Sequence, residues 1–196
     1  MPDRFAEIER KTKETQITVR LSLDGSGSGS IRTGIGFFDH MLDSFARHGR
    51  FDLDVEAAGD LHVDAHHTVE DVGICLGKAF KEALGKKEGI ARFGDAAVPM
   101  DEALAMVAVD LSGRGVLVAD LTVKQENIGD FPSHLVLEFL KALSYNAGIT
   151  IHARQFAGEN PHHIVESVFK SLARALRQAT SLVEGAGGVP STKGVL

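Results

Sequence analysis

Two segments of the chain contain adjacent histidines followed by a glutamate at the same spacing. The first is DAHHTVEDV at 64–72 and the second is NPHHIVESV at 160–168. Imidazole and carboxylate groups both bind metals, and together they suit Mn, Fe, Zn or Ni. In a helix, residues four apart share a face, whereas adjacent residues diverge by about 100°. The pattern predicts the metal-binding pairs His66 with Glu70 and His162 with Glu166. It predicts that His67 and His163 point away from the face that carries these pairs.

Adjacent histidines that diverge but both bind metal imply two ions, and four ligands per ion require more than these six residues. The internal repeat suggests two more, because DHMLDSF (39–45) aligns with LEFLKAL (137–143) and matches His40 with Glu138. His134 is a rival for Glu138, since it lies one helical turn earlier, but it has no counterpart in the first half. Packing of the halves, or of subunits, about a twofold axis would give each ion one histidine from each copy.

Composition excludes several classes of protein. The 196 residues have a net charge of −6, which argues against a nucleic-acid partner. No apolar run approaches the roughly 20 residues that cross a bilayer, and the charged N-terminus MPDRFAEIER does not resemble a signal peptide. The single cysteine, Cys75, cannot form an internal disulfide, and its apolar neighbours predict a buried side chain. We therefore expect a cytoplasmic location.

Apolar periodicity gives the same order of elements twice. Alternation predicts strands at 16–25 and 51–57, and helical spacing predicts helices at 37–49 and 64–84. In the second half, two strands flank the turn SGRG (112–115), followed by a helix at 135–148, a strand at 148–158 and a helix at 160–179. The glycines of GSGSGS (25–30) fit the turn of a hairpin better than a phosphate-binding loop.

The repeat predicts an α/β (α+β) fold in which a strand-strand-helix-strand-helix unit is duplicated in tandem, with sheets packed against helices. A doubly wound dinucleotide-binding fold does not fit this order. We expect a first half at 1–88, a second half at 89–186 and a Gly-rich tail at 187–196.

Several segments closely resemble the imidazoleglycerol-phosphate dehydratase family of histidine biosynthesis. They are RKTKET (10–15), GIGFFDHML (34–42), GDLHVDAHHTVED (59–71), DLSGRG (110–115), NPHHIVESVFKSLARAL (160–176) and STKG (191–194). The resemblance implies a fold like domain 2 of ribosomal protein S5 and a 24-subunit homo-oligomer with sites of two Mn²⁺ ions between subunits. It implies a lyase that dehydrates D-erythro-imidazole-glycerol phosphate to imidazole-acetol phosphate, with the substrate ring held as an imidazolate between two metals.

The resemblance also implies roles for individual residues. Glu14 is the nominated base, and Asp101 and Glu102 are weaker candidates for proton transfer. The catalytic set further includes the two histidine pairs and their glutamates, and His40 and His48 line the substrate pocket. The residues implied to bind the phosphate or the rest of the substrate are Arg92, Arg114, Lys170, Ser191, Thr192 and Lys193. The tail is expected to become ordered over the substrate.

Two other classes of protein remain open. A storage or structural metal protein would assemble with metal and show no turnover. A dinuclear metallohydrolase acting on a phosphate ester would release inorganic phosphate, which a dehydratase does not.

Overall fold

The computed structural model describes residues 4–124, 126–194 and 196, which form two four-stranded sheets and four long helices. The first half contains β1 (Phe5–Lys11), β2 (Thr15–Ser22), β3 (Gly29–Arg32), α1 (Gly36–Gly49), β4 (Asp52–Gly59) and α2 (His66–Leu84). The second contains β5 (Phe93–Met100), β6 (Ala103–Asp110), β7 (Val116–Asp120), β8 (Asn127–Ile128), β9 (Phe131–Pro132), α3 (Leu135–Ala147), β10 (Thr150–Ala157) and α4 (Pro161–Thr180). No helix among the described residues is long and apolar enough to cross a membrane.

The two large sheets have equivalent topologies. Their strand orders are β1-β2-β4-β3 and β5-β6-β10-β7, and in each sheet only the pairing of the last two strands is parallel. The short strands β8 and β9 form a separate ribbon. The predicted fold class, a duplicated α/β unit with sheets packed on helices, is confirmed.

Two details of the prediction are wrong. Each half begins with an additional strand, β1 or β5, so the unit is strand-strand-strand-helix-strand-helix. The GSGSGS segment is not a hairpin turn, because β4 lies between β2 and β3; likewise β10 lies between the strands on either side of SGRG. Alternation identifies a strand but does not identify its neighbour, and here a later strand inserts between two consecutive ones.

The helices interlock the halves. Helix α2 packs on the first sheet and α4 on the second, but α3 packs against α2 and α1 against α4. Gly73 allows α2 to approach α3 closely, since a Cβ there would lie 3.0 Å from the carbonyl oxygen of Phe139. One continuous core contains buried residues of both halves. Each half therefore supplies the helix that packs beside the other half's histidine pair.

Cys75 is fully buried in α2, as predicted. Burial raises the pKa of its thiol to about 11, with the nearby charge of Asp71 contributing. The thiol is therefore protonated at neutral pH, which agrees with the sequence-based interpretation of a small apolar side chain.

Candidate metal centre

The ends of α1 and α4 bring three potential ligands together. One ligand atom from each of His40, His162 and Glu166 lies within 4.8 Å of the other two. Glu166 Oε2 is 3.1 Å from His162 Nε2 and 3.6 Å from His40 Nε2. Asn160 fixes the start of α4, because its side chain accepts a hydrogen bond from the backbone N–H of His162 at 3.0 Å.

The charge of Glu166 is balanced inside the protein. Its side chain is only 9% exposed, and Lys170, one turn along α4, places Nζ 2.7 Å from Glu166 Oε1. Burial alone raises the pKa of Glu166, but Lys170, together with His40 and His162, outweighs this effect and holds the pKa below its ordinary value. Glu166 is thus an ionised carboxylate with one oxygen directed toward the two histidines.

The equivalent region at the start of α2 is more open. His66 Nε2 and Glu70 Oε2 lie 3.8 Å apart, and the two side chains are 41% and 44% exposed. Glu138 does not join them as His40 joins its counterparts, and its ion-pair partner is Lys141 at 4.0 Å. Among the described residues, no second group of three donors meets as closely as the His40 triad.

The rival ligand His134 also lies outside the triad. It immediately precedes α3 and lines a cleft with Leu121, Val123 and Val168. The choice between Glu138 and His134 therefore stays open in the isolated chain.

The second histidine of each pair contacts a different carboxylate. His67 Nδ1 lies 3.1 Å from Asp60 Oδ2, and His163 Nδ1 lies 2.7 Å from Glu102 Oε2. These hydrogen bonds are the main reason that the pKa of His67 and that of His163 are raised. The pKa of Glu102 falls to about 2, first because of His163 and then because two backbone N–H groups donate to it. Glu102 is therefore ionised at neutral pH and poorly suited to donate a proton.

Glu14 lies in the tight turn between β1 and β2, with Oε2 4.0 Å from His67 Nε2. The turn is fixed to α2 by Asp71, which is buried and accepts hydrogen bonds from Thr15 Oγ1 at 2.6 Å and Arg10 Nε at 2.8 Å. The backbone carbonyl of Glu14 also accepts a hydrogen bond from the N–H of Asp60 at 3.1 Å. The exposed carboxylate of Glu14 is thus held beside the His66–His67 pair.

The predicted phosphate ligands fall into two groups. Lys170 lies at the triad. Burial of the nearby His48 lowers the pKa of that histidine, and the charge of Lys170 lowers it further. Arg92 instead donates from Nε to Asp110 Oδ1 at 2.8 Å and from Nη1 to the carbonyl of Pro190 at 2.9 Å. That second contact ties the tail to Arg92.

The remaining substrate candidates belong to the tail and to one turn. Ser191 Oγ accepts from the N–H of Lys193 at 3.2 Å, and the side chains of Thr192, Lys193 and Arg114 are exposed. In the described part of the chain, no hydrogen bond or ion pair joins these side chains to the triad. Within one chain, the structure does not bring the two groups of phosphate candidates together.

Sequence reasoning missed two carboxylates, Asp60 and Asp71. Asp71 had a recognisable signal: it lies four residues before the buried Cys75, on the apolar face of α2, where a charged residue requires partners. Asp60 had none, since a single aspartate in a loop is ordinary.

Fold and donor set together define a duplicated α/β protein with a cluster of two histidines and a carboxylate that could hold a metal ion. The family model described as imidazoleglycerol-phosphate dehydratase matches residues 33–176. An imidazoleglycerol-phosphate dehydratase of Desulforamulus reducens is 57% identical over the full length of both chains, and one of Acetivibrio thermocellus is 57% identical over 99% of this chain and 100% of its own.

Solved structures agree with these relatives. The imidazoleglycerol-phosphate dehydratase of Staphylococcus aureus is 37% identical with a TM-score of 0.83, over 91% of this chain and 99% of its own. The enzyme of Pyrococcus furiosus, solved in complex with (S)-C348, is 42% identical with a TM-score of 0.84, over 96% and 100%. The chain belongs to the imidazoleglycerol-phosphate dehydratase family, a metal-dependent family of hydro-lyases in histidine biosynthesis. The resemblance predicted from sequence is confirmed.

Proposed function

We propose that the chain dehydrates D-erythro-imidazole-glycerol phosphate to imidazole-acetol phosphate with two Mn²⁺ ions per active site. The observation that best supports this proposal is the triad of His40, His162 and Glu166, whose ligand atoms lie within 4.8 Å of one another. Two imidazoles and one carboxylate form a mixed nitrogen and oxygen donor set that suits Mn²⁺ and leaves coordination positions open. The donors therefore fit the metal that the family resemblance implies.

The second ion requires ligands that one chain does not gather. His66 and Glu70 form an open pair, and His67 and His163 present ring nitrogens away from the triad. We propose that neighbouring subunits complete both sites, in the 24-subunit homo-oligomer implied by the resemblance, and that the enzyme works in the cytoplasm. Glu138 would add its carboxylate to the more open site.

The chemistry requires removal of a proton from a carbon that has no adjacent carbonyl. The histidines and glutamates of the two motifs would hold the metal, which would supply Lewis acidity so that the substrate ring can react as the imidazolate and take up the developing charge. The carboxylate of Glu14 takes the carbon-bound proton, since it is exposed and held at the His66–His67 end by the turn that Asp71 fixes. The hydroxyl on the neighbouring carbon leaves as water by receiving that proton from Glu14, and the electron pair of the broken C–H bond becomes the C=C bond of an enol. The enol then tautomerises to the ketone product.

Cationic side chains hold the phosphate at a fixed distance from the reacting carbons. Lys170 already lies at the triad, and Arg92 is held rigidly by Asp110. Arg114, Ser191, Thr192 and Lys193 would complete the anchor once subunits meet and the tail covers the substrate. Arginine forks and hydroxyl donors match phosphate oxygens. This anchoring supplies orientation rather than chemistry.

The test is turnover of imidazole-glycerol phosphate by purified protein that has been stripped with a chelator and then resupplied with Mn²⁺. We expect imidazole-acetol phosphate to form only after metal is restored, with no release of inorganic phosphate. Phosphate release would favour a metallohydrolase. Metal-dependent assembly without any turnover would favour a structural metal protein.

A further inference from the structure

The second histidine of each pair is bound through Nδ1 by a carboxylate that has no assigned role. Both oxygens of Asp60 lie within 3.2 Å of His67 Nδ1, and Glu102 Oε2 lies 2.7 Å from His163 Nδ1. An ionised carboxylate only accepts hydrogen bonds, so each Nδ1 must carry the hydrogen. We propose that Asp60 and Glu102 are positioning residues, each fixing its histidine with the Nε2 lone pair available to a metal ion. This inference rests on the proposed metal sites.

The other ring nitrogen of each histidine has only long contacts. His67 Nε2 is 4.0 Å from Glu14 Oε2, which exceeds the range of a direct hydrogen bond. His163 Nε2 is 3.8 Å from Asp101 Oδ2 and 3.5 Å from Asn160 Nδ2, so its one hydrogen-bond contact is long and has Nε2 as the acceptor. Metal-binding histidines almost always donate their second ring N–H to a carboxylate, carbonyl or water, which sets the tautomer and the ring orientation. Both histidines therefore have the arrangement of a metal ligand.

The two halves reach this arrangement with residues that the duplication does not relate. Glu102 lies in the turn between β5 and β6, whose counterpart between β1 and β2 holds Glu14. Asp60 instead directly follows β4. A chance surface contact would not be expected at both equivalent histidines from different elements. In the first half, the use of Asp60 leaves Glu14 free to act as the base.

Both carboxylates are fixed by contacts beyond the ring. Glu102 Oε1 accepts hydrogen bonds from the backbone N–H of Asn160 at 2.9 Å and of Glu159 at 3.2 Å. The Asp60 side chain is only 17% exposed, and its backbone N–H donates to the carbonyl of Glu14. Each carboxylate is therefore held in place when the ring meets it, which lowers the entropy cost of ordering the histidine.

Mn²⁺ binding to the metal-stripped full chain tests the inference, with free Mn²⁺ followed by electron paramagnetic resonance. Substitutions of this kind typically weaken metal binding about 10- to 100-fold, and we expect such a loss for Glu102→Ala and for Asp60→Ala. Glu102→Gln keeps one oxygen to accept from the two backbone N–H groups but places an NH2 donor against the ring Nδ1. It should therefore also weaken Mn²⁺ binding, because it favours the tautomer with the hydrogen on Nε2. Glu159→Gln removes a negative charge beside the same helix start without a ring contact, and it should bind Mn²⁺ like the wild type.

Turnover against Mn²⁺ concentration separates positioning from catalysis. With Glu102→Gln, the concentration for half-maximal activity should rise, whereas kcat at saturating Mn²⁺ should recover. Unchanged Mn²⁺ affinity in Glu102→Ala, Glu102→Gln and Asp60→Ala would overturn the inference while leaving the metal-dependent reaction intact. A wild-type chain that binds no Mn²⁺ would overturn the proposed metal sites and this inference with them. Because Glu102→Gln preserves the backbone contacts, it provides the result even if Glu102→Ala does not fold.

Discussion

The starts of α2 and α4 have the same His-His-x-x-Glu sequence but differ in how complete their sites are. At α4, His162 and Glu166 are joined by His40 from the other half, and Glu166 is buried and paired with Lys170. At α2, the side chains of His66 and Glu70 are exposed, and no third donor among the described residues joins them as His40 joins the α4 pair. Duplication thus preserved the ligand spacing, while the packed neighbour determines whether one chain can assemble a site.

The largest predicted effect tests whether the His66–Glu70 pair at the start of α2 is as necessary for activity as the triad at the start of α4. If both ends bind catalytic metal, His66→Ala and His162→Ala should each lower kcat/KM by on the order of 10³-fold or more, because metal Lewis acidity is worth several kcal/mol. His152→Ala, on an exposed position of β10, is the control and should retain activity. Near-normal turnover of His66→Ala alone would mean that only the triad serves the reaction.

The next effect concerns the two equivalent turns. The turn between β1 and β2 presents Glu14 to solvent, whereas Glu102 in the turn between β5 and β6 is bound to His163 and two backbone N–H groups. Replacing a general base usually costs about 10²- to 10⁴-fold in rate. We therefore expect Glu14→Gln to lower kcat by that factor with little change in KM or Mn²⁺ affinity. Glu9→Gln, on the exposed face of β1, is the control, and an active Glu14→Gln enzyme would reassign the base.

A smaller predicted effect, on the free energy of unfolding, compares two buried side chains at matched positions of α2 and α4. Asp71 holds Thr15 and Arg10, while its counterpart in α4, Ser167, donates only to the carbonyl of Val98 at 3.2 Å. Loss of a partner from a buried charged network costs about 1–3 kcal/mol, and loss of one neutral hydrogen bond about 1 kcal/mol. We expect Asp71→Asn to lower the free energy of unfolding more than Ser167→Ala, measured by denaturant titration of metal-free protein. Asp71→Asn should also lower turnover, since the turn carrying Glu14 loosens.

The same comparison shows which features the sequence could predict. The doubled motif and the apolar periodicity predicted the duplicated fold and the helices, because helix spacing is local. The repeat proposed His40 as a ligand but did not predict which histidine pair it lies beside. They did not predict that β4 lies between β2 and β3, since strand order depends on distant contacts.

The same limit applies inside the site. The matched positions of His40 and Glu138 suggested equal ligands, but only His40 meets its partners within the chain. Asp60 was missed because its role depends on a loop folding back onto His67.

The smallest predicted effect concerns how stability depends on pH. It compares two lysine–glutamate pairs, one on α4 and one on α3. Lys170 lies against buried Glu166, whereas the pair of Lys141 and Glu138 on α3 is exposed at 4.0 Å. The pKa of Glu166 is held below its ordinary 4.5 in the folded state, so its contribution to stability is present above pH 4.5 and is lost as pH falls through the lower folded value.

Removing Lys170 removes the chief influence that opposes burial, and the pKa of Glu166 should then rise. In metal-free protein, Lys170→Met should therefore lower Tm near neutral pH and flatten its decline below pH 4.5, because the ionised form of Glu166 has lost its partner. Lys141→Met should change Tm little at any pH, since exposed ion pairs contribute about 0–1 kcal/mol. If the wild type and Lys170→Met gave parallel profiles of Tm against pH, the burial of Glu166 would not distinguish the site at the start of α4 from the site at the start of α2.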